Sequence, residues 1–342
     1  MAALFDEISF RGMTLKNRIV VSPMCQYQAL EDGVSTDWHL VHYGSLAMSG
    51  ASLVFVEATA VEARGRISTK DLGLYSDDHV SGLLRIVDFG HSQGTMMGIQ
   101  LNHAGRKADV DGPIVAPSSV RFSEKYAIPE AMTEEDIEEA VQAFASAAKR
   151  SVAAGFDVIE IHAAHGYLLN QFLSPLSNRR SDAYGGSVEN RLRFPLQVVS
   201  AIRAVIPSTM PLFLRVSAVE YVDNGYSMAE MVQFCRGFRD AGVDLVDVST
   251  GGNVPVMPSA VYPGYQIAPA AQIRREADIC VGGVGMLDNV ELSEYLVQSG
   301  QVDLVSVARG FLRNKTWGHD AAIALHRPIH PPKPYTRAYP QH

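Results

Sequence analysis

Apolar residues along the chain gather into eight short runs: Ile19–Val21, Leu53–Val56, Met97–Leu101, Val158–Ile161, Leu212–Val216, Leu245–Val248, Ile279–Val281 and Leu304–Val307. Runs this short and continuous suit strands covered on both faces, and the segments between them carry apolar residues at helical spacing. The alternation predicts an α/β chain folded as one closed parallel (β/α)8 TIM barrel over residues 1–325. Between the third and fourth runs, Ile137, Val141, Phe144 and Ala148 fall on one stripe of a helix over Thr133–Ala154, which Thr133 and Asp136 can cap. Ser227-Met228-Ala229-Glu230 reads as a capping box opening the helix after the fifth run. Pro195 falls inside the helix expected over Val188–Val205, where it removes a backbone bond at ~3 kcal/mol, so a kink or restart is expected.

Two segments do not fit the alternation. Asn102–Met132, with Pro113, Pro117 and Pro129, is too long for a plain strand-to-helix connection and reads as a lid or binding loop after the third strand. The tail, residues 326–342, holds five prolines and reads as an arm reaching across its own barrel or a neighbour.

The chain has 342 residues, 47% of them hydrophobic and 19% charged, enough for a large core that needs neither metal nor disulfide. A formal net charge of −8 without clustered Lys and Arg argues against a nucleic-acid partner. The first residues lack a basic, then apolar, leader pattern, and no apolar run approaches the ~18 residues of a membrane span, so a soluble cytoplasmic protein is expected. Cys25, Cys235 and Cys280 lie far apart with no C-x-x-C pair, which leaves no sequence-readable metal or iron–sulfur cluster.

Strand alternation then sorts the candidate chemistry. Val158, Glu160 and His162 share the inward face of the fourth strand, Phe213, Arg215 and Ser217 that of the fifth, and Gly98, Gln100 and Asn102 that of the third. A buried Arg215 needs an anion, and an ion pair with Glu160 inside the barrel would satisfy it. His162 and His165 have a permitted metal-ligand spacing, but no third or fourth ligand is placed to complete a site, so no metal is expected. Gly282-Gly283-Val284-Gly285 and Ala308-Arg309-Gly310 follow the seventh and eighth strands, where barrels of this class bind phosphate. By itself Cys25 reads as a small buried hydrophobe, Tyr167 as a loop tyrosine and Arg337 as a solvated charge.

One stretch carries a more specific signal. Val158–Arg191 contains His162-Ala163-Ala164-His165-Gly166-Tyr167, then Phe172-Leu173-Ser174-Pro175-Leu176-Ser177-Asn178-Arg179, then Asp182-Ala183-Tyr184-Gly185-Gly186-Ser187-Val188-Glu189-Asn190-Arg191. Together with Leu15–Cys25, Ile99–Lys107 and Tyr335-Thr336-Arg337-Ala338-Tyr339, it resembles the old yellow enzyme family of FMN-dependent ene reductases. The likeness is to the bacterial, thermophilic-like branch of NADPH dehydrogenase or xenobiotic reductase type. The resemblance implies FMN across the barrel mouth, NADPH as reductant, and Ser22, Pro23, Met24, Cys25, Ala58, Gln100, Arg215, Gly283, Ala308 and Arg309 as cofactor-binding residues. It gives Arg215 a second reading, facing the flavin's pyrimidine edge, and it places the Cys25 sulfur near O4 and N5, tuning the reduction potential.

The same resemblance implies that His162 and His165 hold the oxygen of an activated alkene, that Tyr167 supplies the proton, and that Tyr27 lines the substrate pocket. It further implies a homodimer or homotetramer in which Arg337 enters the adjacent subunit's site. This chain has Ala308 where the family usually has Gly, and a longer tail. It lacks the clustered cysteines of the related dienoyl-CoA reductases. The expected reaction is ping-pong reduction of the C=C bond of α,β-unsaturated carbonyl and nitro compounds. The rival readings are a phosphate-binding barrel acting as an isomerase or lyase without redox chemistry, and a non-catalytic flavin-binding protein.

Overall fold

The computed structural model describes residues 2–339. Its strands are β1 (Ile8–Phe10), β2 (Met13–Leu15), β3 (Ile19–Val21), β4 (Leu53–Ala60), β5 (Met96–Asn102), β6 (Val115–Ala116), β7 (Glu130–Ala131), β8 (Val158–Ala163), β9 (Leu212–Ser217), β10 (Leu245–Ser249), β11 (Cys280–Gly283) and β12 (Leu304–Val307). Eight of them close a barrel in the order β3-β4-β5-β8-β9-β10-β11-β12, every neighbouring pair parallel. Each expected apolar run lies in or overlaps one of these strands, and helices intervene, so the fold is the (β/α)8 barrel.

The pleat divides the apolar residues as alternation requires. Val20, Leu53, Phe55, Val158, Phe213, Leu245 and Leu304 fill the lower interior as one cluster. Ile19, Val21, Val54, Val56, Ile99, Leu101, Ile159 and Ile161 face outward and join the core beneath the helices. The antiparallel β1–β2 hairpin plugs the bottom: Phe10, Met13 and Leu15 belong to the interior cluster, and the Phe10 ring meets Phe213 edge-on with centroids 5.1 Å apart. With its floor packed, the barrel can hold a ligand only at the carboxyl ends of its strands.

The helix signals hold. Glu134–Ala153 starts at a capping box in which Thr133 and Asp136 satisfy each other's backbone N–H, and Met228–Asp240 starts the same way on Ser227 and Glu230. The helix expected to kink or restart at Pro195 does not restart: it runs continuously from Val188 to Arg203, two residues short of the expected end. Packing of Leu192, Phe194, Pro195, Val198, Val199 and Ile202 into the core outweighs the missing backbone bond.

The long segment after β5 carries a 3-10 turn, Gly105–Lys107, and a two-stranded parallel ladder of β6 and β7. The tail forms a single 3-10 turn, Lys333–Ala338, after the last helix, Trp317–Ala324, and the Tyr339 ring meets His319 edge-on with centroids 5.2 Å apart. The rest of the expected arm, residues 340–342, lies outside the described residues. Among the described residues no helix is long and apolar enough to cross a membrane.

Because Phe213 joins plug to barrel, Phe213→Ala is expected to destabilise the protein by about 3–5 kcal/mol in urea unfolding. A loss under about 1 kcal/mol would show that the hairpin is not a structural plug.

Candidate active site

His162 closes the inward face of β8, and His165 follows in a turn with φ 58°. The Ala164 N–H donates to His162 Nδ1 at 3.2 Å, so the His162 proton sits on Nε2, which is 3.3 Å from His165 Nδ1. His165 then carries its proton on Nε2, 2.7 Å from Ser249 Oγ. Burial, helped by the facing Arg215 and Lys107 charges, holds both imidazoles well below their ordinary pKa, so they are neutral at neutral pH. The expected pair is therefore assembled, with its N–H groups relayed through one another.

Tyr167 lies against this pair, its ring 4.9 Å from the His162 ring and edge-on to it. Burial raises its phenol well above 10, so it keeps its proton. Lys107 Nζ sits 5.0 Å above the same ring and donates to the carbonyls of His165 at 2.8 Å and Gly252 at 3.1 Å. The Lys107 bonds tie the loop after β8 to the loop after β10, which touch at Gly166 and Gly252, both with positive φ. A Cβ on Gly166 would stand 2.2 Å from the Gly252 carbonyl oxygen, so only glycine fits there.

Below the imidazoles the interior turns polar. Gln100 Nε2 donates to Glu160 Oε1 at 2.7 Å, and Arg215 Nε lies 3.2 Å from Asp247 Oδ2. Of the two readings of Arg215, the ion pair with Glu160 is not made; its carboxylate neighbour is Asp247, because β9 and β10 bring residues 215 and 247 into register. Asp247 sits in a run read only as apolar, and the alternation within it was the available signal. The Arg215 contact is close enough for an ion pair but too misaligned to count as a hydrogen bond, and Arg215 Nε has no hydrogen-bond partner.

Ser22, Pro23, Met24 and Cys25 leave β3 along one side of the mouth, with the Ser22 hydroxyl buried and unpartnered. Ala58 is buried beside them on β4, close to the Cys25 thiol. Tyr27 is 47% exposed with φ 54°, an unusual backbone for an aromatic residue, and burial with the neighbouring Cys25 raises its phenol above the ordinary value.

A cavity of about 290 Å³ runs from His165 past Ser249, Gln266 and Gly285 to Ala308, Arg309 and Arg313. Its wall after β11 begins at Val284, so Gly283 does not line it. A Cβ on Gly283 would come within 2.7 Å of Ile267 on the covering helix and of Val302 just before β12, so there is no room for a side chain at this position. Arg337 is not brought to the mouth. It is exposed, on a tail whose residues His330 to Lys333 border Lys16, Gly50 and Gln93, all preceding barrel strands and therefore at the opposite end.

The second half of the recognisable stretch is scaffolding. Asn170 Oδ1 accepts from Gly166 N–H at 2.8 Å, and Gln171 Nε2 donates to the Gly166 and Ala104 carbonyls. Arg180 clamps Pro117 and Met132 of the lid, and Arg191 bonds Leu173, Gly186 and Glu230. These side chains hold loops over the mouth and do not enter it.

Residues 3–327 match the family described as NADH:flavin oxidoreductase / NADH oxidase. The chain belongs to this family. It is 49% identical over 337 residues to an NADPH dehydrogenase of Geobacillus sp. (strain WCH70), covering 98% of each chain, and 46% identical over 337 residues to the one of Bacillus subtilis (strain 168), covering 98% of this chain and 99% of that one. Among solved structures it superposes on morphinone reductase with a TM-score of 0.81 at 25% identity, over 98% of this chain and 92% of that one. An old yellow enzyme homologue from Zymomonas mobilis gives a TM-score of 0.81 at 25% identity, over 96% and 94%.

Membership in this old-yellow-enzyme-type family makes the protein an FMN-dependent oxidoreductase, and the readings without redox chemistry fall away. The residues present fit a flavin: Ser22 Oγ, Asn102 Oδ1 and Arg215 Nε are buried polar atoms without a hydrogen-bond partner, on strands or strand ends around the mouth. Among the described residues no group of three or more His, Cys, Asp or Glu could hold a metal ion.

Since burial disfavours the imidazolium, the His162 and His165 ring resonances are expected to stay in the neutral position as pH falls through 6.5, their ordinary value. An NMR titration with a midpoint near 6.5 for either ring would contradict the buried, relayed arrangement.

Proposed function

We propose that this oxidoreductase is an NADPH dehydrogenase acting as an ene reductase on α,β-unsaturated carbonyl compounds and nitroalkenes. The observation that carries the proposal is the meeting of two neutral imidazoles and a proton-holding phenol directly above a buried amide, carboxylate and guanidinium layer. FMN bound at the mouth would supply the redox chemistry, hydride exchange between NADPH and the β-carbon of the alkene.

The chain's own residues divide the remaining work. Ser22, Pro23, Met24, Cys25 and Ala58 would flank the ring system, Gln100 and Arg215 would hold its pyrimidine edge, and Ala308 and Arg309 with the backbone after Gly283 would take its phosphate. A substrate carbonyl or nitro oxygen competes for the His162 Nε2 proton now given to His165 Nδ1, and His165 turns its own N–H from Ser249 to the same oxygen. Tyr167 then delivers its hydroxyl proton to the α-carbon, where negative charge has developed, and the Lys107 charge over its ring stabilises the phenolate left behind. Burial draws Lys107 down to about 8, so it is cationic at neutral pH. Tyr27 lines the open side of the pocket. Arg337, at the wrong end of its own barrel, enters the site of an adjacent subunit in a homodimer or homotetramer.

The purified protein is expected to be yellow, to bleach with NADPH in the absence of oxygen, and to regain its colour on addition of 2-cyclohexenone. Failure to reoxidise with any enone or nitroalkene would overturn the substrate class. Tyr167→Phe should leave flavin reduction nearly unchanged while slowing the alkene half-reaction by about 10²–10⁴-fold in stopped flow; equal losses in both halves would remove the proton-donor role. Arg337→Ala should raise KM for the enone with flavin reduction unaltered, in protein that sedimentation shows is still assembled.

A further inference from the structure

Glu57 is a buried carboxylate that the proposed chemistry does not use. Alternation along β4 would send it into the barrel with Leu53 and Phe55, but the register slips between Val56 and Ala58. This bulge places the Glu57 side chain among partners from outside the strand. The Tyr43 hydroxyl, on the helix Asp37–Ala47, donates to Oε2 at 2.7 Å and accepts the Glu57 N–H at 2.9 Å. The Gln26 N–H donates to Oε1 at 3.1 Å. Glu57 is 0% exposed, and within 4.0 Å no Lys or Arg among the described residues pairs with it.

Among the described residues the imidazole within 4.0 Å of it is His39, with Nε2 3.9 Å from Oε2. The Thr36 N–H donates to His39 Nδ1 at 3.0 Å, so the ring proton is on Nε2 and aims at the carboxylate without reaching it. Burial pushes His39 down to about 4, so it brings no positive charge. Glu57 therefore has only dipoles to stabilise its charge.

What Glu57 holds is the Cys25–Tyr27 turn. Gln26, between those two residues, is fixed at three points: its N–H on Glu57, its Nε2 on the Met24 carbonyl at 2.7 Å, and its Oε1 accepting from Trp38 Nε1 at 3.2 Å. Tyr27 sits next to the Glu57 bond in a left-handed backbone, a conformation of order 1–3 kcal/mol that survives only where neighbours enforce it. Burial pushes the Cys25 thiol up, with Asp71 and Glu57 adding to it, and Tyr27 shifts the same way.

We infer that Glu57 is a positioning residue of the active site: its carboxylate fixes the Cys25–Tyr27 turn and sets the negative charge that the Cys25 sulfur and the ring system beside it experience. This rests on the reading that Cys25 faces the flavin. The groups around Glu57 are Tyr43, His39 and, farther along the same helix, His42; Cys25 and Tyr27 on the turn; and Asp71 with Arg66 from the loop after β4. Burial lifts Glu57 to about 7, with Asp71 pushing the same way against the bonds from Gln26 and Tyr43. The carboxyl is thus mostly neutral at pH 6 and mostly charged at pH 8, and charge appearing behind Cys25 makes the flavin harder to reduce. Asp71, lifted to about 6, titrates across the lower part of this window in wild type and Glu57→Gln alike, so comparing the two isolates Glu57.

The test is the midpoint potential of the holoenzyme, from pH 6 to pH 8, for wild type, Glu57→Gln, Tyr43→Phe and Cys25→Ala. Wild type and Glu57→Gln should agree at pH 6 and diverge by pH 8, with the wild type lower. Tyr43→Phe, which removes a donor to the charged form, should move the divergence to higher pH, and it decides the matter if Glu57→Gln does not fold. Cys25→Ala should shift the potential at every pH.

If Cys25→Ala shifts the potential while Glu57→Gln and Tyr43→Phe track the wild type throughout, the role of Glu57 is refuted and the site reading stands. If Cys25→Ala changes nothing, the site reading itself fails and takes the inference with it. Flavin-free protein gives a second measurement. A carboxyl raised from 4.5 to about 7 on folding contributes stability that is lost as pH rises through that range. The stability of wild type relative to Glu57→Gln should therefore fall from pH 4.5 to 7, and a flat difference would overturn the inference.

Discussion

The ion pair between Arg215 and Asp247 governs the rest of the site. The upper interior of a closed barrel is dry, and an unpaired guanidinium there would cost several kcal/mol. Parallel register between β9 and β10 supplies the counter-ion from the neighbouring strand, and the lateral contact leaves Arg215 Nε without a hydrogen bond. Glu160 stays on Gln100, and burial with the nearby Asp247 pushes it toward the protonated form. The layer therefore carries little net charge while keeping polar atoms available at its upper surface.

Everything above that layer is held by loops, and the loops are held by bonds that do no chemistry. Lys107 pins two loop carbonyls, Gly166 and Gly252 allow their backbones to meet, and Asn170, Gln171, Arg180 and Arg191 staple the segments on either side. Side chains that face a ligand must be held within about 0.5 Å of one position, and loops achieve this only when over-determined. That requirement accounts for so long a recognisable stretch around so few residues that touch the mouth.

The mouth is also nearly free of ionised groups. The two imidazoles are held neutral, and the Tyr167 phenol and Cys25 thiol are held protonated, all chiefly by burial. In such surroundings a charge that develops during reaction is felt strongly, because little water or standing charge screens it. Apart from the Arg215–Asp247 pair beneath it and the arginines of the adjoining cavity, the Lys107 ammonium and the Glu57 carboxyl are the exceptions, with values near 8 and 7 that place their changes of charge beside the working range.

By itself the sequence determined the architecture, because eight buried strands and the capped helices between them are local patterns of period 2 and 3.6 that no other closed arrangement satisfies as well. It also determined the identity of the mouth residues, since His162, His165 and Tyr167 lie within one strand and its exit. Contacts between residues distant in the chain were beyond it. Asp247 was chosen over Glu160 by strand register, Gly283 was assigned to packing by a helix approaching from outside, and Arg337 was set at the far end by the path of the tail. Glu57 shows why: a single-residue slip in β4 reversed the face its side chain occupies, and only the closed fold, with Tyr43 and Gln26 already in place, decides which face a bulge will serve.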